Sequence, residues 1–206
     1  AHDLFIQPIE GGSARNLTGS TIDRPINSYT WHKDGSFLVL CSTGFTTTFY
    51  SITKDGKTKK HGGLEVNPSL FVESPELLAF LGETTTKAPE LWISNQSGQV
   101  KKVTHFHQEW DNIPLVKPEI ISYPSFDGME IEAALLKPAG YQKGTRVHFV
   151  VLIHGGPTGR FSDRFHAWSQ LLATRGYAVL LPNVRGSVGY GQKFAARFFV
   201  PSRYCE

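Results

Sequence analysis

Two adjacent glycines follow an apolar stretch, in a position where their backbone could do chemistry. Residues 147–153 are apolar at six of seven positions, and the sequence then reads His154-Gly155-Gly156-Pro157. Because glycine has no Cβ, the backbone there can turn sharply and leave N–H groups open to a ligand. Two such groups can stabilise the oxyanion that forms during acyl transfer. The alternative is an ordinary loop, because Gly-Gly-Pro also follows strands that have no catalytic role.

The stretches around this turn predict a parallel sheet with helices on both faces. Residues 147–153 show no polar alternation, which is typical of a strand that is buried on both faces. Residues 177–181 form a second such run. We expect the two strands to be parallel neighbours, joined by a helix at about 164–174. Upstream, the Asp127-Gly128 pair lies between two β-rich runs and predicts an antiparallel hairpin that leads into the sheet.

The helix between the two strands has its own start and stop signals. Ser162 or Asp163 is expected to cap its first turn, and Gly176 stands where a C-terminal glycine belongs. Four large side chains at helical spacing predict its apolar face: Phe165, Trp168, Leu171 and Leu172.

Residues 1–116 contain an internal repeat. Three segments each consist of an apolar or aromatic strand, a Gly-containing turn and a second short strand, and their aromatic positions are Phe5, Tyr50 and Trp92. The interval of about 43 residues is the length of a four-stranded propeller blade. The pattern therefore predicts about two and a half blades of a β-propeller. The alternative is an antiparallel sandwich, which would share the short strands but not the repeat.

Composition and motifs argue against several classes of function. The 206 residues carry a formal net charge of +3, and the lysine clusters lack the aromatic platforms of a nucleic-acid surface. The glycine-rich loop 183–191 has neither a dinucleotide nor a phosphate-loop signature. No apolar run is long enough to span a bilayer, so we expect no membrane partner. Of the two cysteines, Cys41 is expected to be a small buried hydrophobe.

Taken in order, these features resemble the prolyl oligopeptidase family of serine peptidases, in particular its acylaminoacyl peptidase-like branch. The resemblance is carried by Ser125-Phe126-Asp127-Gly128, by residues 151–157 and by the segment Pro182–Gly191, and it extends to about residue 196. It implies a β-propeller fragment, residues 1–116, followed by the N-terminal part of an α/β-hydrolase domain, residues 117–206. In that family the propeller covers the hydrolase domain, and the active site lies between them.

The resemblance also implies roles for four residues. Backbone N–H donation to the oxyanion falls to Gly156 first and Gly155 second. His154 is expected to orient the turn, and the alternative is a role in proton transfer. Arg185 is expected to brace its loop, and the alternative is contact with the substrate. The family acts on short or N-blocked peptides, needs no cofactor or metal, and implies a homo-oligomer for the full-length protein. We expect a cytoplasmic location, with secretion as the alternative because two glycosylation sequons are present.

The sequence departs from the family where the nucleophile should be. A serine hydrolase of this fold needs a Gly-x-Ser-x-Gly elbow, then an Asp and then a His, and no window of the 206 residues matches that elbow. None of the catalytic triad is therefore present, and residues from Arg197 onward do not read as family sequence. Two hypotheses follow: a part of a serine oligopeptidase that is inactive alone, or a non-catalytic fragment that acts as a binding module. An esterase of the same fold is disfavoured by the propeller.

Overall fold

The computed structural model describes residues 2–95, 97–156 and 158–197. Pro157 and the divergent tail from residue 198 lie outside the described residues. The chain forms two compact units, each discontinuous in sequence. The first holds the described residues of 1–65, 157–159 and 185–206, and the second those of 66–156 and 160–184. The predicted domain boundary after residue 116 stays a prediction.

The first unit contains two antiparallel sheets. A two-stranded sheet pairs β1 (Phe5–Ile6) with β2 (Arg15–Asn16). A four-stranded sheet consists of strands that pair in chain order: β3 (Ile26–Trp31), β4 (Phe37–Thr43), β5 (Thr46–Ile52) and β6 (Thr58–His61). Since each strand pairs with the next along the chain, the connections are short turns, such as the one at Gly35, where φ is +80°.

The core of the first unit is centred on β4. Six consecutive residues of this strand are buried, which places apolar side chains on both of its faces. Cys41 is fully buried among them, as predicted, and burial raises the pKa of its thiol to about 12. Phe37 and Val39 of β4 belong to the same cluster. Residues from the neighbouring strands and from the chain before them complete it: Leu4, Leu17, Ile22, Ile26 and Ile52.

The second unit begins with another four-stranded antiparallel sheet. Its strands also pair in chain order: β7 (Asn67–Glu73), β8 (Leu77–Thr84), β9 (Lys87–Asn95) and β10 (Val100–Lys102). The strands pack closely at Gly82, where an added Cβ would lie 2.5 Å from Val66 Cγ2 and 2.8 Å from Trp92 Cδ1. The three hairpins predicted from the repeat are confirmed as the pairs β1–β2, β5–β6 and β9–β10.

A mixed sheet completes the second unit. It is formed by β11 (Glu119–Pro124), β12 (Glu130–Leu136), β13 (Phe149–Val151) and β14 (Ala178–Pro182), in the order β11-β12-β14-β13. The hairpin at Asp127-Gly128 and the parallel pairing of β13 with β14 are confirmed. The expectation of a parallel sheet fails at one pairing, because β12 of the predicted hairpin joins the sheet antiparallel to β14.

Strand β13 is not buried on both faces, which corrects the sequence prediction. Phe149, Val151 and Ile153 are 56%, 46% and 62% exposed. This exposure is explained by the position of β13 at the end of the strand order. Within the described residues no strand pairs with its outer edge. Strand β14 lies between two strands and is buried at four of its five residues, as predicted.

The predicted helix exists as α1 (Ala167–Thr174), but its apolar face was assigned wrongly. The helix buries Ser169, Gln170 and Ala173, whereas Trp168 is 67% exposed and Leu171 46% exposed. The cap was also assigned wrongly, because Asp163 Oδ1 accepts hydrogen bonds from the backbone N–H and the hydroxyl of Thr85 instead. Gly176 follows the helix with φ of +93°, as predicted.

The short helix α2 (Gln192–Ala196) belongs to the first unit and follows the glycine-rich loop. Among the helices in the described part of the chain, none is long and apolar enough to cross a membrane.

Gln170 ties α1 to two distant parts of the second unit. Its Nε2 donates to the carbonyl oxygens of Val116, at 2.9 Å, and Thr85, at 3.2 Å. Its Oε1 accepts from the backbone N–H of Val116 at 2.8 Å. Gln170 is 3% exposed, so this one side chain pairs three backbone groups at a site with little access to water.

We expect Gln170→Met to destabilise the protein by about 2–4 kcal/mol, because it keeps the side-chain volume and leaves three backbone groups without their partner. The measurement is the free energy of unfolding in urea. Gln142→Met makes the same chemical change at an exposed position and should shift stability by less than about 0.5 kcal/mol. Equal effects of the two variants would contradict the assignment.

Candidate functional site

The Gly-Gly turn lies three residues beyond β13, at the end of the sheet where this parallel strand finishes. Gly155 and Gly156 are both exposed. A Cβ added at Gly155 would have no neighbouring heavy atom within 4 Å. Gly156 adopts φ of +101°, a conformation that L-residues with a side chain rarely adopt. The turn therefore offers open backbone and requires glycine at its second position.

His154 contacts the turn through its ring. Its Nδ1 lies 3.1 Å from the carbonyl oxygen of Gly155, and since a carbonyl only accepts, Nδ1 carries the proton and donates. The ring also packs edge-to-face on Phe161, with centroids 5.5 Å apart. His154 is half-buried, and these two contacts help to fix the position of its ring.

Phe161 is held by a residue to which the sequence analysis gave no role. The side chain of Asn183 accepts from the Phe161 N–H at 2.7 Å and donates to the Phe161 carbonyl at 3.0 Å. Asn183 is fully buried directly after β14. The sequence did contain a signal that could have identified Asn183. An asparagine directly after a buried strand is itself expected to be buried, and a buried polar side chain needs a hydrogen-bond partner.

His166 also packs on Phe161, and it begins α1. Its ring lies edge-to-face on Phe161 at 5.6 Å, and its Nδ1 accepts from the backbone N–H of Ser169 at 3.2 Å. It is therefore the N-cap of the helix, in place of the predicted residues. Burial lowers the pKa of His166, which keeps the ring neutral and Nδ1 free to accept.

We expect His166 to titrate below its ordinary pKa of about 6.5. Since the folded pKa is depressed, the stability that the neutral cap contributes is present above about pH 6.5 and is lost as pH falls through the folded pKa. The cap should contribute about 1 kcal/mol. NMR titration gives the pKa, and unfolding at several pH values gives the stability. His166→Asn caps without titrating and should remove this pH dependence, whereas a folded pKa above 6.5 would contradict the assignment.

Arg185 lies in the first unit, in the glycine-rich loop. It is half-buried, and the loop around it is fixed by backbone bonds from Gly186 to the Phe194 carbonyl, at 3.2 Å, and from Gly44 to the Gly189 carbonyl, at 2.8 Å. Because Gly155 and Gly156 belong to the other unit, a common role of Arg185 and the turn stays a prediction.

The first unit also contains a cavity of about 250 Å³ beside α2. Its one carboxylate, Asp23, adopts φ of +44°, and its Oδ1 accepts from the N–H of Gln192 at 2.8 Å. A Cβ at Gly191 would lie 2.5 Å from Asp23 Oδ2, so glycine is required there as well. The carboxylate therefore orders the start of α2.

Neither serine near the glycine motifs is placed as a nucleophile. Ser187 is fully buried, and Ser162 lies in the loop before α1 rather than on the sharp turn between a strand and a helix that presents such a nucleophile. Within the described residues no group of three or more His, Cys, Asp or Glu side chains is arranged to hold a metal ion. Donation of the Gly155 and Gly156 N–H groups to an oxyanion stays a prediction.

Comparison with known proteins places these features in one class. No family model matches the chain. The uncharacterized peptidase YuxL of Bacillus subtilis is 30% identical over 183 residues, which are 87% of this chain and 27% of that protein. The human acylamino-acid-releasing enzyme is 30% identical over 153 residues, 70% of this chain and 20% of that protein. The chain thus spans about a quarter of the length of these relatives.

A solved acylaminoacyl peptidase in complex with Z-Gly-Gly-Phe-chloromethyl ketone matches 95% of this chain and 30% of its own. Its TM-score is 0.80 at 24% identity, which shows a common fold, and the structural neighbours are peptidases built from a propeller and a hydrolase domain. The homologues are serine peptidases, and thus hydrolases, of the acylaminoacyl peptidase and dipeptidyl peptidase family. The resemblance inferred from the sequence motifs is confirmed.

Proposed function

We propose that this chain is part of a serine oligopeptidase that hydrolyses short or N-blocked peptides. In this proposal residues 1–116 form about two and a half propeller blades, and residues 117–206 form the N-terminal part of an α/β-hydrolase domain. The observation that carries the proposal is the exposed Gly155-Gly156 turn after a strand with a parallel neighbour. Ligands bind at such strand ends in open α/β sheets, and this fold draws one oxyanion donor from such a loop.

The proposed mechanism is acyl transfer through a covalent intermediate. A serine supplied by sequence outside these 206 residues attacks the peptide carbonyl, and a histidine takes the proton of that serine. The carbonyl oxygen becomes an oxyanion, to which Gly156 donates its N–H and Gly155 offers a second. This intermediate collapses as the carbon–nitrogen bond breaks, the histidine gives its proton to the leaving amine, and water then hydrolyses the acyl-enzyme. His154 holds the Gly155 carbonyl by its hydrogen bond, which fixes the plane of the following peptide group. Arg185 braces its loop.

The substrate class is supported by a relative. The acylaminoacyl peptidase of similar fold is in complex with Z-Gly-Gly-Phe-chloromethyl ketone, a tripeptide derivative with a blocked amino end. A short peptide without a free amine is therefore our proposed substrate. The resemblance supports two further proposals, a cytoplasmic location and a homo-oligomeric full-length protein.

The second candidate is a non-catalytic fragment that acts as a binding module. It is favoured by the missing Gly-x-Ser-x-Gly elbow in the 206 residues. The deciding experiment uses the full-length gene product and compares N-acetylated tripeptides, the same peptides with a free amine, and an unfolded protein. The peptidase proposal predicts hydrolysis of the short peptides and none of the protein. No hydrolysis of any substrate would favour the binding module.

A further inference from the structure

We infer that Asn183 is a positioning residue that holds the Gly155-Gly156 turn in place through Phe161. The inference rests on the proposed oxyanion role of that turn. Asn183 is fully buried, and its own backbone N–H donates to the carbonyl of Glu132 on β12 at 2.9 Å. The backbone of Asn183 is therefore fixed to the mixed sheet, and its side chain extends from there to the loop that contains Phe161.

The side chain of Asn183 imitates a neighbouring strand. It accepts from the N–H of Phe161 at 2.7 Å and donates to its carbonyl at 3.0 Å, the two bonds that a backbone residue would exchange in an antiparallel pair. Both bonds are buried, so neither can be replaced by solvent without cost. Twenty-two residues separate the partners along the chain, and the bonds pin the loop to the end of β14.

From Phe161 the constraint continues to the glycine turn. The Phe161 ring packs against two histidines, with centroids 5.5 Å from His154 and 5.6 Å from His166. His154 then donates to the carbonyl of Gly155 at 3.1 Å. A continuous series of contacts thus joins the sheet to the peptide group whose N–H belongs to Gly156.

The turn depends on this series because it has little packing of its own. Gly155 is exposed and has no neighbour within 4 Å of its Cβ position. Oxyanion donation requires an N–H placed within a few tenths of an ångström, and a misplacement of about 1 Å can lower the rate about 100-fold. A shift of Phe161 would move the His154 ring and release the Gly155 carbonyl.

The test compares Asn183→Leu and Asn183→Asp with Val179→Ala in the full-length gene product. Leu removes both bonds to Phe161, and Asp keeps only the acceptor. Val179 is fully buried on β14, the strand that Asn183 follows, and it pairs with Leu136 and Val150, so Val179→Ala controls for loss of stability. We expect both Asn183 variants to lower kcat about 100-fold with KM nearly unchanged, and Val179→Ala to leave kcat near the wild-type value.

Hydrogen exchange of a peptide covering 152–161 gives a readout that does not require activity. We expect faster exchange there in Asn183→Leu than in wild type or Val179→Ala. Wild-type protein without peptidase activity would refute the proposed function, and exchange alone would then decide the inference. Unchanged exchange, or faster exchange in an active enzyme with unchanged kcat, would overturn the positioning role.

Discussion

The purified 206-residue chain is expected to show no labelling by a fluorophosphonate probe and no hydrolysis of acyl-peptide nitroanilides, whereas the full-length gene product shows both. Fluorophosphonates react with a serine that a neighbouring base activates, and the sequence has no Gly-x-Ser-x-Gly elbow to present one. The loop at Gly155 and Gly156 can only stabilise charge that such a nucleophile creates.

Even residual catalysis should be lost from this chain. Enzymes without their triad retain a rate about 10³–10⁴-fold above that in water, but they keep an intact substrate site and a second N–H donor beside the serine. The control for labelling is the full-length product with its elbow serine replaced by alanine. The probe should not label this variant either. Stoichiometric labelling of the 206-residue chain would show that its nucleophile lies within these residues.

Gly156→Ala is expected to lower kcat of the full-length product by about 10²–10³-fold, the loss measured when an oxyanion donor is removed. An alanine at φ of +101° is strained by about 1–3 kcal/mol, and the turn should relieve that strain by rotating its N–H away from the oxyanion. The measurement is kcat and KM on an N-acetylated peptide, with KM changing much less than kcat.

Gly155→Ala is the matched control for that variant. The φ of Gly155 is not in the left-handed region, and its added Cβ would meet no atom within 4 Å. Since alanine also keeps the backbone N–H, we expect kcat to stay near the wild-type value. Equal losses in the two variants would mean that side-chain bulk, rather than the placement of the Gly156 N–H, limits the reaction.

Local signals were sufficient to predict several turns and pairings of the chain. Short sequence patterns predicted three features: the Asp127-Gly128 hairpin, the glycine after α1 and the parallel pairing of β13 with β14. Turn chemistry and strand composition act over such distances and depend little on what packs against them.

The features that the sequence did not predict depend on distant partners. Strand β13 has the composition of a buried strand, but its exposure is set by its place at the edge of the sheet. Asp163 resembles a helix cap, yet its carboxylate is bound by Thr85, 78 residues away. The face of α1 that packs inward depends on tertiary contacts, and it buries Ala173 and leaves Trp168 exposed.

The candidate site also combines features that a local pattern predicts with features that depend on distant residues. Gly155 and Gly156 could be proposed as donors because a glycine turn after an apolar run is a local pattern. Both residues are exposed in the structure. The clamp between Asn183 and Phe161 joins residues that no short motif connects. Its partners become neighbours only when β14 pairs with β13.

The central claim is that the Gly155-Gly156 turn binds the oxyanion of a peptide substrate. The most direct measurement is a crystal structure of the full-length gene product after reaction with a peptidyl chloromethyl ketone, in which the former carbonyl oxygen marks the oxyanion position. Our account predicts that oxygen at about 2.7–3.1 Å from the backbone nitrogen of Gly156. An adduct whose oxygen lies beyond about 3.5 Å from the nitrogens of both Gly155 and Gly156 would contradict it.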